Sequence, residues 1–328
     1  MPIHIRRRKF IVALGGLTAA WPLATYAQRA TKLPIVGLLI PGSQATYSQR
    51  VDACVQRLRE LGWVDGRTVT LEYRWVETLR FDDVLAEFVG RKVDVIFTSG
   101  TPAVSSARKA TTDIPIVFAG AGDPVASGLV ASLARPGGNV TGLSNQTQDV
   151  ASKRVGLFRE IAPGLRRLAI MVNVDNVAAA SEMREVQAAA STLGIAATPL
   201  EILQAEDITP HFRMLRERTD ALYVVVDSLV TIHAVQINSL ALGARLPTMH
   251  GTRELVVAGG LISYGANYPN LYRRGAEYVD KILRGAKPGD IPVEQPTKFE
   301  LVINLTTARV LGIEVPPALL VSASEIIE

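Results

Sequence analysis

Val93-Asp94-Val95-Ile96-Phe97-Thr98-Ser99-Gly100-Thr101-Pro102 decides the fold. An aliphatic and aromatic run too short for a helix passes into a hydroxyl-rich loop, and Pro102 then opens a helical stretch over 102–110. A strand over 93–97 followed directly by a helix is one βα unit. The same unit recurs around it: strands are predicted over 35–40, 69–75 and 114–118, and helices over 47–61 and 81–89. Near-continuous aliphatic strands between amphipathic helices indicate a parallel sheet covered on both faces.

The stretch Ala134-Arg135-Pro136-Gly137-Gly138-Asn139-Val140-Thr141-Gly142 is rich in turn formers and reads as a break in the winding. Alternation then starts afresh, with helices over 150–161, 178–193, 210–217 and 232–242 and strands over 168–172, 196–203 and 221–226. Two such series predict an α/β protein of two doubly wound parallel-sheet lobes with a cleft between them. The last third departs from two simple beads. A strand over 261–264, a helix over 271–284, a turn-rich connector and a strand over 299–303 suggest that the chain crosses between lobes again. The expected division is a first lobe of 34–143 plus about 266–290, and a second of 144–265 plus about 291–328. Several parallel crossovers form a hinge that bends more readily than it twists.

The amino terminus reads as an address. Arg6-Arg7-Arg8-Lys9 precede an uncharged run over 12–23 and the exit Thr25-Tyr26-Ala27. That apolar run is too short for a stable membrane span and has the layout of an export signal. The arginines followed by Phe10 and Ile11 fit a twin-arginine signal; an ordinary secretory signal is the alternative. Cleavage near Ala27 and a periplasmic location are expected. The full chain has 35 Lys+Arg against 31 Asp+Glu, and loss of those four basic residues leaves 31 against 31. A neutral mature chain gives no support for nucleic-acid binding. No later apolar run approaches the length of a span. Cys54, the single cysteine, shares a helical face with Val51, Val55, Leu58 and Leu61 and reads as a packed thiol.

In open α/β sheets ligands bind beyond the carboxyl ends of the strands. In the loop after 93–97, Gly100 allows close approach and Thr101 and Pro102 suit a helix start. Ser99 and Thr101 either hold a carboxylate or phosphate or simply cap. Gly120 and Asp123 lie after the strand over 114–118, where Asp123-Pro124 looks like a cap and first turn. Asn173 and Asp227-Ser228 follow strands of the second series. Asp227 is either an acid for a ligand ammonium or a helix cap. Tyr264, at a strand end, either stacks on an apolar ligand or packs at a lobe edge. The expected ligand-binding set is Ser43, Ser99, Gly100, Thr101, Gly120, Asp123, Asn145, Asn173, Asp227, Ser228 and Tyr264.

Signatures of catalysis are scarce: there is no G-x-S-x-G, phosphate loop, C-x-x-C or H-E-x-x-H, and the four histidines lack metal-ligand spacing. No catalytic residue, cofactor or metal is expected.

Longer runs carry a resemblance. Asp123-Pro124-Val125, the stretch over 128–142, Gly259-Gly260-Leu261-Ile262-Ser263-Tyr264-Gly265, the stretches over 278–288 and 292–299, and Ile303-Asn304-Leu305 are similar to those of bacterial ABC transporter substrate-binding proteins. The resemblance spans almost the whole mature chain. It implies a type I periplasmic binding fold with three crossover strands, a small solute closed between the lobes, and a membrane permease with its ATPase as partners. Relatives associated with aromatic amino acids such as tryptophan would suit a carboxylate cradle at Ser99 to Thr101, an acid at Asp227 and an aromatic wall at Tyr264. A secreted α/β enzyme using the same cleft, and a ligand sensor for a membrane kinase, are the competing readings.

Overall fold

The computed structural model describes residues 32–78, 80–215 and 219–328. The expected export signal at 1–27 lies outside them, as do the last two residues of the helix expected over 210–217.

Chain order begins β1 (Ile35–Ile40), α1 (Gln44–Glu60), β2 (Thr70–Trp75), α2 (Asp82–Arg91), β3 (Val95–Thr98), α3 (Thr101–Ala110), β4 (Ile116–Ala121) and β5 (Val140–Ser144). These strands form one parallel sheet in the order β2-β1-β3-β4-β5. Alternate residues serve opposite faces: Leu38, Phe97 and Val117 join one cluster, and Leu39, Ile96 and Phe118 join the other with Leu85, Phe88 and Val104. Burial on both faces explains why β1, β3 and β4 read as near-continuous apolar runs, whereas the edge strand β2, TLEYRW, is mostly half-buried.

The turn-rich stretch expected to be a break contains a strand. β5 pairs in parallel with β4, and its Gly142 has a φ of 153°. A Cβ there would fall 2.1 Å from the Phe118 carbonyl oxygen, so the glycine that suggests a break is what lets the strand approach its neighbour.

Beyond β5 come α4 (Ala151–Ile161), β6 (Arg167–Asn173), α5 (Val177–Thr192), β7 (Ala196–Ile202), α6 (Ile208–Leu215), β8 (Ala221–Val224), α7 (Ser228–Ile232), α8 (Ala234–Gly243), β9 (Thr248–His250), α9 (Arg253–Val257), β10 (Ile262–Ala266), α10 (Tyr268–Leu283), β11 (Phe299–Asn304), α11 (Leu305–Leu311), α12 (Pro317–Ser322) and β12 (Glu325–Ile327). The second sheet has the order β12-β11-β10-β9-β8-β6-β7.

α10 leaves the second sheet and packs on α1, β3 and β4 of the first. The chain therefore passes between lobes after β5, after β10, and again before β11. The return fixes a departure from a purely parallel sheet: β11 re-enters from the end at which β10 leaves, so the two pair antiparallel, Ile262 opposite Ile303 and Ala266 opposite Phe299. The crossings are tied together. Leu143 and Glu294 form a parallel bridge, and the Asn267 N–H donates to the Lys298 carbonyl at 3.0 Å.

Among the described residues no helix is long and apolar enough to cross a membrane, and no group of three or more His, Cys, Asp or Glu side chains is placed to hold a metal ion. Cys54 is fully buried in the first lobe.

Candidate functional site

The carboxyl ends of β3 and β4 face those of β6, β8 and β9 across a narrow, partly open cleft. Ser99, Gly100 and Thr101 line it from β3, Gly120 and Gly122 from β4, Asn145 and Thr147 from the first crossing, and Asp227 and Ser228 from β8.

Local chemistry positions each group. Gly100, with φ of 79°, is the residue preceding α3, so Thr101 lies inside the helix and does not cap it as the sequence suggests. Its hydroxyl instead accepts from the Gly122 N–H at 3.2 Å and fastens the β3 and β4 loops together. A Cβ at Gly100 would lie 2.8 Å from Ser228 Oγ, which measures how closely the lobes meet. Ser99 Oγ accepts from the Tyr272 hydroxyl at 2.7 Å and keeps its own proton for donation.

Asp227 is both cap and wall. Its Oδ1 accepts from the Leu229 N–H at 2.7 Å and from Asn173 Nδ2 at 3.1 Å, and its Oδ2 from Asn176 Nδ2 at 2.7 Å. All of these donors are neutral, and Asp227 is buried. Burial pushes its carboxyl above the usual range, against the pull of the Asn176 and Asn173 amides. A buried carboxylate partnered only by neutral donors is completed best by a cation on its open side.

Four positions expected from sequence lie elsewhere. Ser43 caps α1, its Oγ accepting from the Thr46 N–H at 3.3 Å. Asp123 accepts from the Ala126 N–H at 3.0 Å within a turn, and no helix follows it. Asn173 stands behind Asp227 and orients it. Tyr264 stays inside β10, because the strand runs on to Ala266, and its ring stacks on Phe299 with centroids 5.9 Å apart.

Sequence reasoning misses Tyr47, Arg50, Asn176, Thr252 and Tyr268, all of which line the cavity. The Arg50 guanidinium lies 3.9 Å from the Tyr268 ring centroid and 4.7 Å from that of Tyr47. It also contacts both carboxylate oxygens of Glu254 in α9 at 2.5 Å. This ion pair clasps α1 of one lobe to the other lobe. Burial pushes the Glu254 carboxyl up, and the adjoining Arg50 more than reverses this and holds it below the ordinary carboxylate range. A depressed carboxyl stabilises the folded, clasped form above its unfolded pKa, and that contribution is lost as pH falls through the lower folded value. Glu254→Gln is accordingly expected to widen the cleft of the unliganded protein. Small-angle scattering should show a larger radius of gyration than wild type at neutral pH; identical profiles would remove the clasp.

The family model described as ABC transporter substrate binding protein matches residues 40–327, which contain every cavity-lining residue and every element of both lobes except most of β1. The chain belongs to this family of ABC transporter substrate-binding proteins. Members of the family are extracytoplasmic, bind small solutes and work with a membrane transporter. The chain is 26% identical over 262 residues to a tyrosine-binding protein of Clostridioides difficile (strain R20291), covering 79% of this chain and 75% of that one. The structure of an ABC domain from Streptococcus pneumonia in complex with L-Trp superposes with a TM-score of 0.84 at 24% identity, covering 90% of this chain and all of that one. A ligand-free, open structure of a substrate-binding protein with adhesive properties from Clostridium difficile gives 0.66 at 26% identity, covering 90% and 99%. The two-lobed architecture, with its chain crossings, is that of this substrate-binding protein family.

Proposed function

We propose that this protein captures an aromatic amino acid in the periplasm and delivers it to an ABC permease and its ATPase, with no catalytic step. The observation that carries the reading is the Asp227 carboxylate, buried, hydrogen-bonded only by neutral donors, and open to a cavity whose opposite side is the β3–α3 loop. An α-ammonium would pair with Asp227. The α-carboxylate would face Ser99, Gly100 and Thr101, where a hydroxyl and the start of a ten-residue helix favour an anion. Pairing the two charges on opposite lobes couples binding to closure.

The tyrosine-binding relative supports an aromatic ligand, and the tyrosine rings beside Arg50 supply aromatic faces. Residues 1–27 would serve as the export signal, read by the twin-arginine or the general secretory pathway and cleaved near Ala27.

Calorimetric titration with tyrosine, tryptophan, phenylalanine, their deaminated analogues and a sugar panel tests the reading. Saturable one-to-one binding of an aromatic amino acid is expected, and a hundredfold excess over the dissociation constant should add about 2.7 kcal/mol of stability. Turnover of the bound compound, or no saturable binding, would overturn it.

A further inference from the structure

We infer that Thr252 hydrogen-bonds a polar atom on the side chain of the ligand, so that the site selects tyrosine and tryptophan over phenylalanine. This rests on the reading of the cavity as an amino-acid site.

Topology sets the direction in which a bound side chain must run. Asp227 follows β8 and Thr252 follows β9, and these strands are neighbours in the second sheet. In the first sheet the β3 loop bearing Ser99 to Thr101 neighbours β1, which leads into α1 with Tyr47 and Arg50. The cavity thus has an end formed by Thr252, Tyr47, Arg50 and Tyr268, beside the groups that would hold the ammonium and carboxylate. At the other end the lobes pack closely, a Cβ at Gly122 falling 2.8 Å from the Ala178 Cβ. A side chain extending from the charged groups toward the first end would meet Thr252.

The state of Thr252 indicates what it meets there. It is 3% exposed, and its Oγ1 is buried with no hydrogen-bond partner. It precedes α9, yet its hydroxyl makes no capping bond, whereas Asp227, Asn176, Asn267 and Asn304 all use their side chains to cap the helices they precede. A buried hydroxyl with no partner is costly, and one that lines a ligand cavity is completed by the ligand. The neighbouring Arg50 carries donors only, and its guanidinium is engaged with Glu254. Thr252 Oγ1 is a buried, unpartnered oxygen at this end able to accept a hydrogen bond from a phenol O–H or an indole N–H. A site that pairs a buried polar group with such a donor rejects the analogue lacking it, because the group is then left unpaired.

Calorimetry with tyrosine, tryptophan and phenylalanine on wild type, Thr252→Val and Thr252→Ser tests this. Wild type is expected to prefer tyrosine to phenylalanine by about tenfold or more. Thr252→Val should bring that ratio within about threefold by weakening tyrosine while phenylalanine binds as before, and Thr252→Ser should restore it. A wild-type protein that binds phenylalanine as tightly as tyrosine, or a valine variant that keeps the full preference, would overturn the inference and leave the amino-acid reading standing. Failure of all three amino acids to bind wild type would overturn both.

Discussion

Asp227→Asn is expected to weaken an amine-bearing aromatic ligand by about thirtyfold to several thousandfold, the range for truncating one partner of a buried charged pair, about 2–5 kcal/mol. The asparagine keeps the size of the side chain and removes the charge that the ammonium would meet. The deaminated analogue, lacking that ammonium, should lose little. Calorimetry on the two compounds separates the effects, and an equal loss for both would exclude an ammonium partner at Asp227. A pH dependence follows from the same burial. The Asp227 carboxyl is raised by desolvation, and pairing requires its ionised form. Affinity should therefore hold at neutral pH and begin to fall, on acidification, above the pH at which an exposed aspartate would protonate.

Arg154→Ala should lower folding stability by about 3–5 kcal/mol, because it strands a buried carboxylate. Both Arg154 and Glu182 are fully buried, with Arg154 Nη1 2.7 Å from Glu182 Oε1. Burial opposes the arginine charge, but the Tyr223 oxygen and the Glu182 carboxylate raise its pKa above the usual value. The guanidinium also donates to the Tyr264 carbonyl at 2.5 Å and to the Thr147 carbonyl at 3.3 Å, joining α4 to β10 and to the first crossing. Glycine is required around it: a Cβ at Gly251 would lie 2.9 Å from Arg154 Nη2. Urea denaturation should show the loss. The double variant Arg154→Met with Glu182→Leu, which removes both charges, should recover much of it. A double variant less stable than the single would mean that the hydrogen bonds, not the stranded charge, set the cost.

The first lobe is legible in the sequence because β1, β3 and β4 are buried on both faces and therefore written as apolar runs. β5 is not, since close approach to β4 demands Gly142 and so looks like a turn. β9, α9, α11, α12 and β12 are three to seven residues long, too short to display a period. Cavity positions divide on the same lines. Ser99, Gly100, Thr101, Asp227 and Ser228 stand out because they follow strands directly. Arg50 does not, because a charged residue in an amphipathic helix spells a solvated face. Its burial comes from Glu254, 204 residues away, and from Tyr268. Tyr264 and Tyr268 exchange places because β10 runs two residues further than its aliphatic run shows.

The excursion of α10 into the first lobe governs when that lobe can be finished as the chain is made. All five strands of the first sheet are complete at Ser144, yet the face bearing Leu38, Phe97 and Val117 is covered by Leu271, Tyr272, Ala276 and Val279. Those residues are synthesised only after β6 to β10 of the other lobe. Domains ordinarily fold in the order in which they emerge. Here the amino-terminal lobe must wait with one side of its core only partly covered, by α1, until residue 283, so the two lobes mature together and neither can be cut free of the other by a single break in the chain.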